Sequence, residues 1–296
     1  MKNVHKRKIK YGQLFLNLFF ILLCLCYIIP VVLLLSVSFE GAMTQNFSLV
    51  PKQFSLSAYK AVFENPYRIL NAYKVTIFYS VAGVLSSLVV MAMFAYTLSR
   101  RNFKLRNILT FLLFFTTLFG GGLVPTYIVN SKVLHLNDTI WIYILPGIIN
   151  AWNVIVIRTY FQNLPGELFE SARLDGASEL KICFRIAIPL STPVLASVGF
   201  LRFVDAWNNW STSQVYIRKT ELVSLQYLLK QILDNIEMLQ QMVREGGVSL
   251  ALAEELARAE SMRFAMAVIA AGPALVIFPF FQKYFAKGMT LGSVKG

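Results

Sequence analysis

From Leu14 to Leu35 the chain carries no charged side chain, and stretches near 75–98, 107–129, 139–159, 186–207 and 262–281 are almost as apolar. The ~30 Å hydrocarbon core of a bilayer takes ~20 residues of helix to cross, so each run can serve as a span. Backbone polar groups in lipid must be satisfied within the segment, which makes these runs helices. The sequence therefore predicts an all-α integral membrane protein with six transmembrane helices. Its hydrophobic content of 56% exceeds the roughly 45–50% of soluble domains, and the excess lies in these blocks.

The net charge of +13 would suit a nucleic-acid binder if the cations formed one patch. They do not. Lys2, Lys6, Arg7, Lys8 and Lys10 precede the first run; Arg100, Arg101, Lys104 and Arg106 follow the second; Arg158, Arg173, Lys181 and Arg185 surround the gap between the fourth and fifth; Lys283, Lys287 and Lys295 follow the last. Short basic segments at alternate ends of successive spans are the positive-inside pattern, and no base-reading module accompanies them. Both termini are thus expected in the cytoplasm. A basic N-terminus covers 1–13, a six-span membrane domain 14–285 and a C-terminal tail 286–296. Loops of about 36–74 and 208–261 fall outside and a loop of about 160–185 inside. The start of the chain also resembles a signal peptide with Ser36-Val37-Ser38 as a small-x-small site. Its apolar run exceeds the ~7–15 residues of a signal h-region, so it reads as a retained span. Cys24, Cys26 and Cys183 form neither a metal spacing nor a disulfide framework.

Two stretches depart from plain spans. Gly120, Gly121, Gly122 and Pro125 interrupt the third run, where they disfavour continued helix. Broken backbone at that depth lines a cavity or is covered by protein, or else the small residues allow close helix packing. In the long outer loop Leu222, Leu225, Leu228, Leu229, Ile232, Ile236 and Leu239 define one apolar helical face. Gly246-Gly247 ends that helix, and Ser249 is expected to cap a second, short one ending near Arg263. Such a cap packs on its own spans or docks an external partner.

Between the fourth and fifth runs, from Leu164 to Leu190, Pro165 suits a helix start, Glu167 and Glu170 complement its positive end, and Asp175-Gly176 supplies a turn. A second helix is expected from Ala177 to Pro189. Two short helices meeting at a glycine serve either a partner protein or a lipid surface. The segment resembles the coupling loop of bacterial ABC-importer permeases, whose pattern is Glu-Ala-Ala, three residues, Gly, nine residues, Ile-x-Leu-Pro. Glu170, Ala172, Gly176, Ile186 and Pro189 match it; Ser171 replaces the first alanine and Ile188 the leucine. Ala95 to Arg100, Ala206 to Trp210 and the tail Phe280 to Gly296 are similar to the carbohydrate-uptake, MalG-like class. Phe119 to Tyr127 resembles its LplC-like subgroup, associated with polysaccharides and other complex sugars.

That resemblance implies a heterodimer with a MalF-like permease, an ATPase dimer carrying ATP and Mg, an extracellular sugar-binding protein, and residence in a bacterial cell membrane. It implies ATPase coupling through Glu170, Ser171, Ala172, Leu174, Asp175, Gly176, Ala177 and Pro189. The tail residues Gly292, Val294, Lys295 and Gly296 would approach the ATPase interface. The chain itself has no Gly-x-x-x-x-Gly-Lys-Ser/Thr loop, no His-Glu-x-x-His and no catalytic constellation. It is expected to be no enzyme and to bind no cofactor or metal. For the substrate path, Gly120–Gly122 offer backbone, and Trp207, Asn208, Asn209 and Trp210 offer rings and amides suited to sugars. The same aromatics fit an interfacial belt. Arg202 and Asp205 face a cavity or pair with each other. The competing functions are the same importer with another cargo, such as glycerol phosphate, an ion-coupled secondary transporter, and a membrane enzyme or docking subunit.

Overall fold

The computed structural model describes residues 11–40, 48–245 and 250–290. Regular structure among them is helical, with one isolated antiparallel bridge between Glu40 and Phe54. The helices are α1 (Tyr11–Ser38), α2 (Ser57–Val62), α3 (Pro66–Ser99), α4 (Arg106–Leu118), α5 (Leu123–Ile128), α6 (Ala151–Gln162), α7 (Gly166–Leu174), α8 (Glu179–Ile182), α9 (Ile188–Leu190), α10 (Thr192–Trp207), α11 (Ser211–Tyr216), α12 (Leu225–Arg244) and α13 (Leu250–Thr290). One π-helical stretch, Val129–Val133, extends α5, and another, Cys183–Ala187, joins α8 to α9. The described residues divide into two compact units, within Met1–Asn65 plus Gln231–Ala270 and within Pro66–Lys230 plus Ala271–Gly296.

In the first unit α1 is an uncharged, mostly apolar rod with exposed side chains along most of its length, as lipid requires. At its C-terminal end Phe39 stacks on Phe54 with centroids 5.3 Å apart, and Ser38 Oγ lies 2.9 Å from the Tyr59 hydroxyl. The apolar stripe of α12 is packed here: Ile236 and Leu239 close against Ala259 of α13. The glycines Gly246 and Gly247 and the capping Ser249 lie outside the described residues. The expected short helix is corrected, because α13 does not stop near Arg263 but continues to Thr290.

The second unit is organised around α3. Its buried residues, Ala72, Thr76, Tyr79, Gly83, Ser87, Met91, Ala95 and Leu98, recur three or four apart along one stripe. Most are small, and small residues let membrane helices approach closely. α3 packs on α6 and α10; a Cβ added at Gly199 would come within 2.9 Å of Leu88 Cδ1.

Three of the expected spans differ from straight helices. The third breaks after Leu118 and turns by 115° into α5; Gly122 sits at φ +81°, ψ −175°, a region open essentially to glycine. The fourth, expected at 139–159, is a 3-10 turn at Ile140–Tyr143 followed by irregular chain and then α6. Alone, α6 rises ~18 Å, short of a crossing. Pro146 and Asn150 explain the division: the proline stops the first piece, and the Asn150 side chain accepts from the Asn153 amide at 3.0 Å to start the second. The Gly147 carbonyl between them accepts from Arg202 Nη2 at 2.7 Å. The fifth bends by 82° between α9 and α10, where Pro189 and Pro193 flank Ser191. Among the described residues three helices are long and apolar enough to cross a membrane, or five if each bent pair is one span.

Candidate functional site

The loop between α6 and α10 is built from complementary local signals. Pro165, with φ −56° and ψ 124°, precedes the first turn of α7, where Glu167 faces the positive helix end. At the other end the Gly176 amide donates to the Arg173 carbonyl at 3.0 Å and the Ala177 amide to the Ala172 carbonyl at 2.9 Å. With Gly176 at φ +76°, this is a Schellman termination, which satisfies two of the carbonyls left open at the helix end. Ser178 then caps α8, its side chain accepting from the Lys181 amide. The second helix therefore starts at Glu179 and not at Ala177.

Burial gives this corner a root and a tip. Phe169 and Ile182 insert into a cluster formed with Met91, Ala95, Val154 and Ile157. Glu170, Ser171, Asp175, Gly176 and Pro189 are exposed, and Leu174 is 89% exposed. A Cβ at Gly176 would meet nothing within 4 Å. Within this chain the glycine is required by its φ alone.

A polar cluster joins the root of the loop to the end of α3. The Tyr96 hydroxyl donates to Glu179 Oε2 at 2.5 Å, and Arg173 Nε donates to Glu179 Oε1 at 2.8 Å. The Arg100 guanidinium lies 4.0 Å from the Phe169 ring centroid and 4.5 Å from that of Tyr96. Burial, helped by the like charge of Arg173, lowers the Arg100 pKa; the bond to Glu179 raises that of Arg173. These groups border an open recess of about 740 Å³ that also touches Phe103, Phe161 and Glu170. Sequence reasoning missed Tyr96, Arg100 and Glu179 as partners, since 83 residues separate Tyr96 from Glu179.

The other expected site residues lie apart from this corner. Gly120 and Gly122 have nothing within 4 Å of an added Cβ, and Gly121 meets only Pro125. Close packing of this chain on itself does not account for them. The aromatic belt is corrected for Trp207, which is 1% exposed and stacks on Phe203. Asn209 caps α11, its Oδ1 accepting from the Thr212 amide at 3.1 Å. Asn208 and Trp210 are exposed, with Lys230 Nζ 5.6 Å from the Trp210 ring. Arg202 and Asp205 do pair, at 2.8 Å. The Tyr143 hydroxyl lies 2.6 Å from Ser213 Oγ and donates to the Leu222 carbonyl at 2.8 Å, a network with no sequence signature. The tail residues Gly292, Val294, Lys295 and Gly296 are outside the described residues. Among the described residues no group of three His, Cys, Asp or Glu is placed to hold a metal.

The family model of the binding-protein-dependent transport system inner membrane component matches residues 80–291, which contain this loop and the helices that hold it. The chain belongs to this family. It is a component of a bacterial membrane transport system rather than a nucleotide hydrolase. The permease is 38% identical over the whole of both chains to the polygalacturonan/rhamnogalacturonan transport system permease protein YtcP of Bacillus subtilis. It is 40% identical to the protein LplC of Bacillus subtilis, covering 91% of this chain and 90% of that one. A crystal structure of a bacterial ABC transporter involved in the import of the acidic polysaccharide alginate contains a chain similar at a TM-score of 0.79 and 28% identity. That match covers 96% of this chain and 100% of the other.

Proposed function

We propose that this chain is the MalG-like permease of an ABC importer for a carbohydrate, an oligosaccharide or a complex glycan, and forms half of the translocation path. The observation that carries this reading is the Schellman corner of α7 and α8. It is rooted in the span core by Phe169 and Ile182 and offers an exposed apolar tip at Leu174. End-to-end similarity to a polygalacturonan/rhamnogalacturonan permease supports the carbohydrate cargo. A glycerol phosphate cargo and ion-coupled transport have no such support.

In this reading the chain crosses the membrane six times, the 3-10 turn and α6 together making the fourth crossing, with both termini cytoplasmic. A MalF-like permease completes the path, an ATPase dimer binds ATP and Mg, and an extracellular binding protein delivers the sugar. Glu170, Ser171, Ala172, Leu174, Asp175, Gly176, Ala177 and Pro189 engage the ATPase, and the C-terminal tail lies at the same interface. Nucleotide binding favours one orientation of the permease only through its differential affinity for the two states. Gly120–Gly122, Asn208 and Trp210 line the sugar path, whereas buried Trp207 shapes it from behind.

The test is affinity purification of the tagged chain from its own membranes, followed by reconstitution in liposomes with the partners that co-elute. A second permease and an ATPase are expected to co-elute, and ATP is expected to drive uptake of labelled oligogalacturonate or neutral oligosaccharide. A chain that elutes alone and accumulates solute on an ion gradient would refute the assignment.

A further inference from the structure

The segment Ala95 to Arg100 closes α3 beside the loop, yet the coupling loop alone gives it no task. Two of its residues project at the loop root. Tyr96 is 5% exposed and directs its hydroxyl at Glu179 Oε2, at 2.5 Å. Glu179 is the first residue of α8, immediately beyond the glycine corner, and its other oxygen takes the Arg173 side chain from the far side of that corner at 2.8 Å. One carboxylate thus ties α3, α7 and α8 together. Arg100, one turn beyond Tyr96, closes over the Phe169 ring at 4.0 Å. Phe169 itself is 3% exposed, and its ring lies 6.5 Å from that of Tyr96.

These contacts differ in kind from the apolar cluster beneath them. Buried alkyl packing tolerates sliding, whereas a hydrogen bond loses strength steeply as its angle and length depart from ideal. A charge-assisted bond to a carboxylate is about twice as strong as a neutral one. The tyrosine–carboxylate–arginine chain therefore fixes the orientation of the corner against α3 as well as its proximity. α3 spans 34 residues, or ~51 Å at 1.5 Å per residue. A corner fixed to one end of it carries its motion the full length of the helix.

We propose that Tyr96, Glu179 and Arg173, with Arg100 stacked on Phe169, form a latch that makes α3 and the loop corner one rigid body. They are positioning residues: a displacement of the corner reaches the far end of the unit through α3 as well as through α10, which follows the corner in the chain. This rests on the coupling role proposed above and adds the element through which coupling travels.

The experiment uses the purified complex in nanodiscs, with Cys24→Ser, Cys26→Ser and Cys183→Ala as background. Spin labels at Leu168→Cys, exposed on α7 and outside the residues that engage the ATPase, and at Asn102→Cys report the distance from the corner to the turn after α3, and labels at Leu168→Cys and Leu201→Cys report the corner against α10. Distances are compared without nucleotide and after trapping with ATP and vanadate. The expected result is a 168–102 distance unchanged by trapping in the otherwise native chain. In Tyr96→Phe and in Glu179→Gln it shifts or broadens by about one helical turn, ~5 Å. Both variants should also transport roughly three- to tenfold less cargo per ATP, as expected for loss of one partly exposed charge-assisted bond. Tyr96→Phe retains the ring under Arg100, and co-elution of the ATPase should be undiminished, so an unfolded loop would be evident. A 168–102 distance that already changes in the native chain, or variants that behave like it, would overturn the latch alone. If neither label pair responds to trapping in the native chain and Leu174→Arg leaves ATPase co-elution intact, the coupling role fails as well.

Discussion

Gly176 allows the backbone and the partner surface to be separated by a graded set of side chains. Its φ of +76° penalises any L-residue, by roughly 1–2 kcal/mol for alanine in the left-handed region. No atom lies within 4 Å of the position an added Cβ would take, so no steric cost within this chain is added to the backbone one. Asparagine tolerates that region better than alanine or tryptophan. The stability order should therefore be Gly, Asn, then Ala and Trp together. The spread should be about 1–2 kcal/mol, or a few degrees in the unfolding midpoint at ~2–4 °C per kcal/mol for chains of this order of size. Contact with a partner's cleft depends on volume instead, so ATP-driven uptake should fall in the order Gly, Ala, Asn, Trp. The two orders cross at alanine and asparagine. Thermal unfolding of the purified complex gives the first order and uptake in liposomes the second. If Gly176→Trp transports like the native chain, nothing covers the corner and the coupling assignment fails; if Gly176→Ala alone unfolds the protein, the clash-free geometry is wrong.

Two further outcomes follow from single backbone sites. Gly122→Ala should cost about 1–3 kcal/mol because of its glycine-only conformation, whereas Gly120→Ala, with no positive φ and no neighbour within 4 Å, should change the unfolding midpoint little; equal effects would remove the conformational reading of the break. The Asp138 carboxylate accepts from the amides of Arg218 at 2.5 Å and Lys219 at 2.9 Å, and these bonds hold its pKa below the usual aspartate value. A depressed carboxylate pKa stabilises the fold fully above the unfolded value of about 3.9 and loses that contribution as pH falls through the folded value. Amide exchange at Arg218 and Lys219, referenced to intrinsic rates, should therefore be protected at pH 6, still protected near the unfolded value of about 3.9, and deprotected only as pH falls below it, and Asp138→Asn should abolish the pH dependence; protection that persists unchanged at low pH would contradict it.

The apolar runs and the basic segments between them already determined a helical membrane protein, because no other soluble or disordered form accommodates that much uncharged sequence. The glycine corner was equally legible: Asp175-Gly176 and the flanking helix formers act over a few residues, and local backbone preferences are written locally. The break at Gly120–Gly122 could be read for the same reason. Pro146 and Asn150 carried a comparable signal for dividing the fourth span, and the length of the surrounding apolar run masked it.

Tertiary structure decided what those local pieces touch. Trp207 could be a sugar-facing ring or an interfacial one until α10 was placed against its neighbours, and it is instead buried in the core. The helix expected to end near Arg263 runs on, since a continuous helix loses no hydrogen bonds and Ala259 finds an apolar partner in α12. The hydroxyl of Tyr96 and the carboxylate of Glu179 meet only when α3 and α8 are packed together. Contacts across such a separation depend on helix crossing and register, which no short stretch of sequence encodes, whereas the pieces that cross are fixed by periodicity and backbone preference within a turn or two of chain.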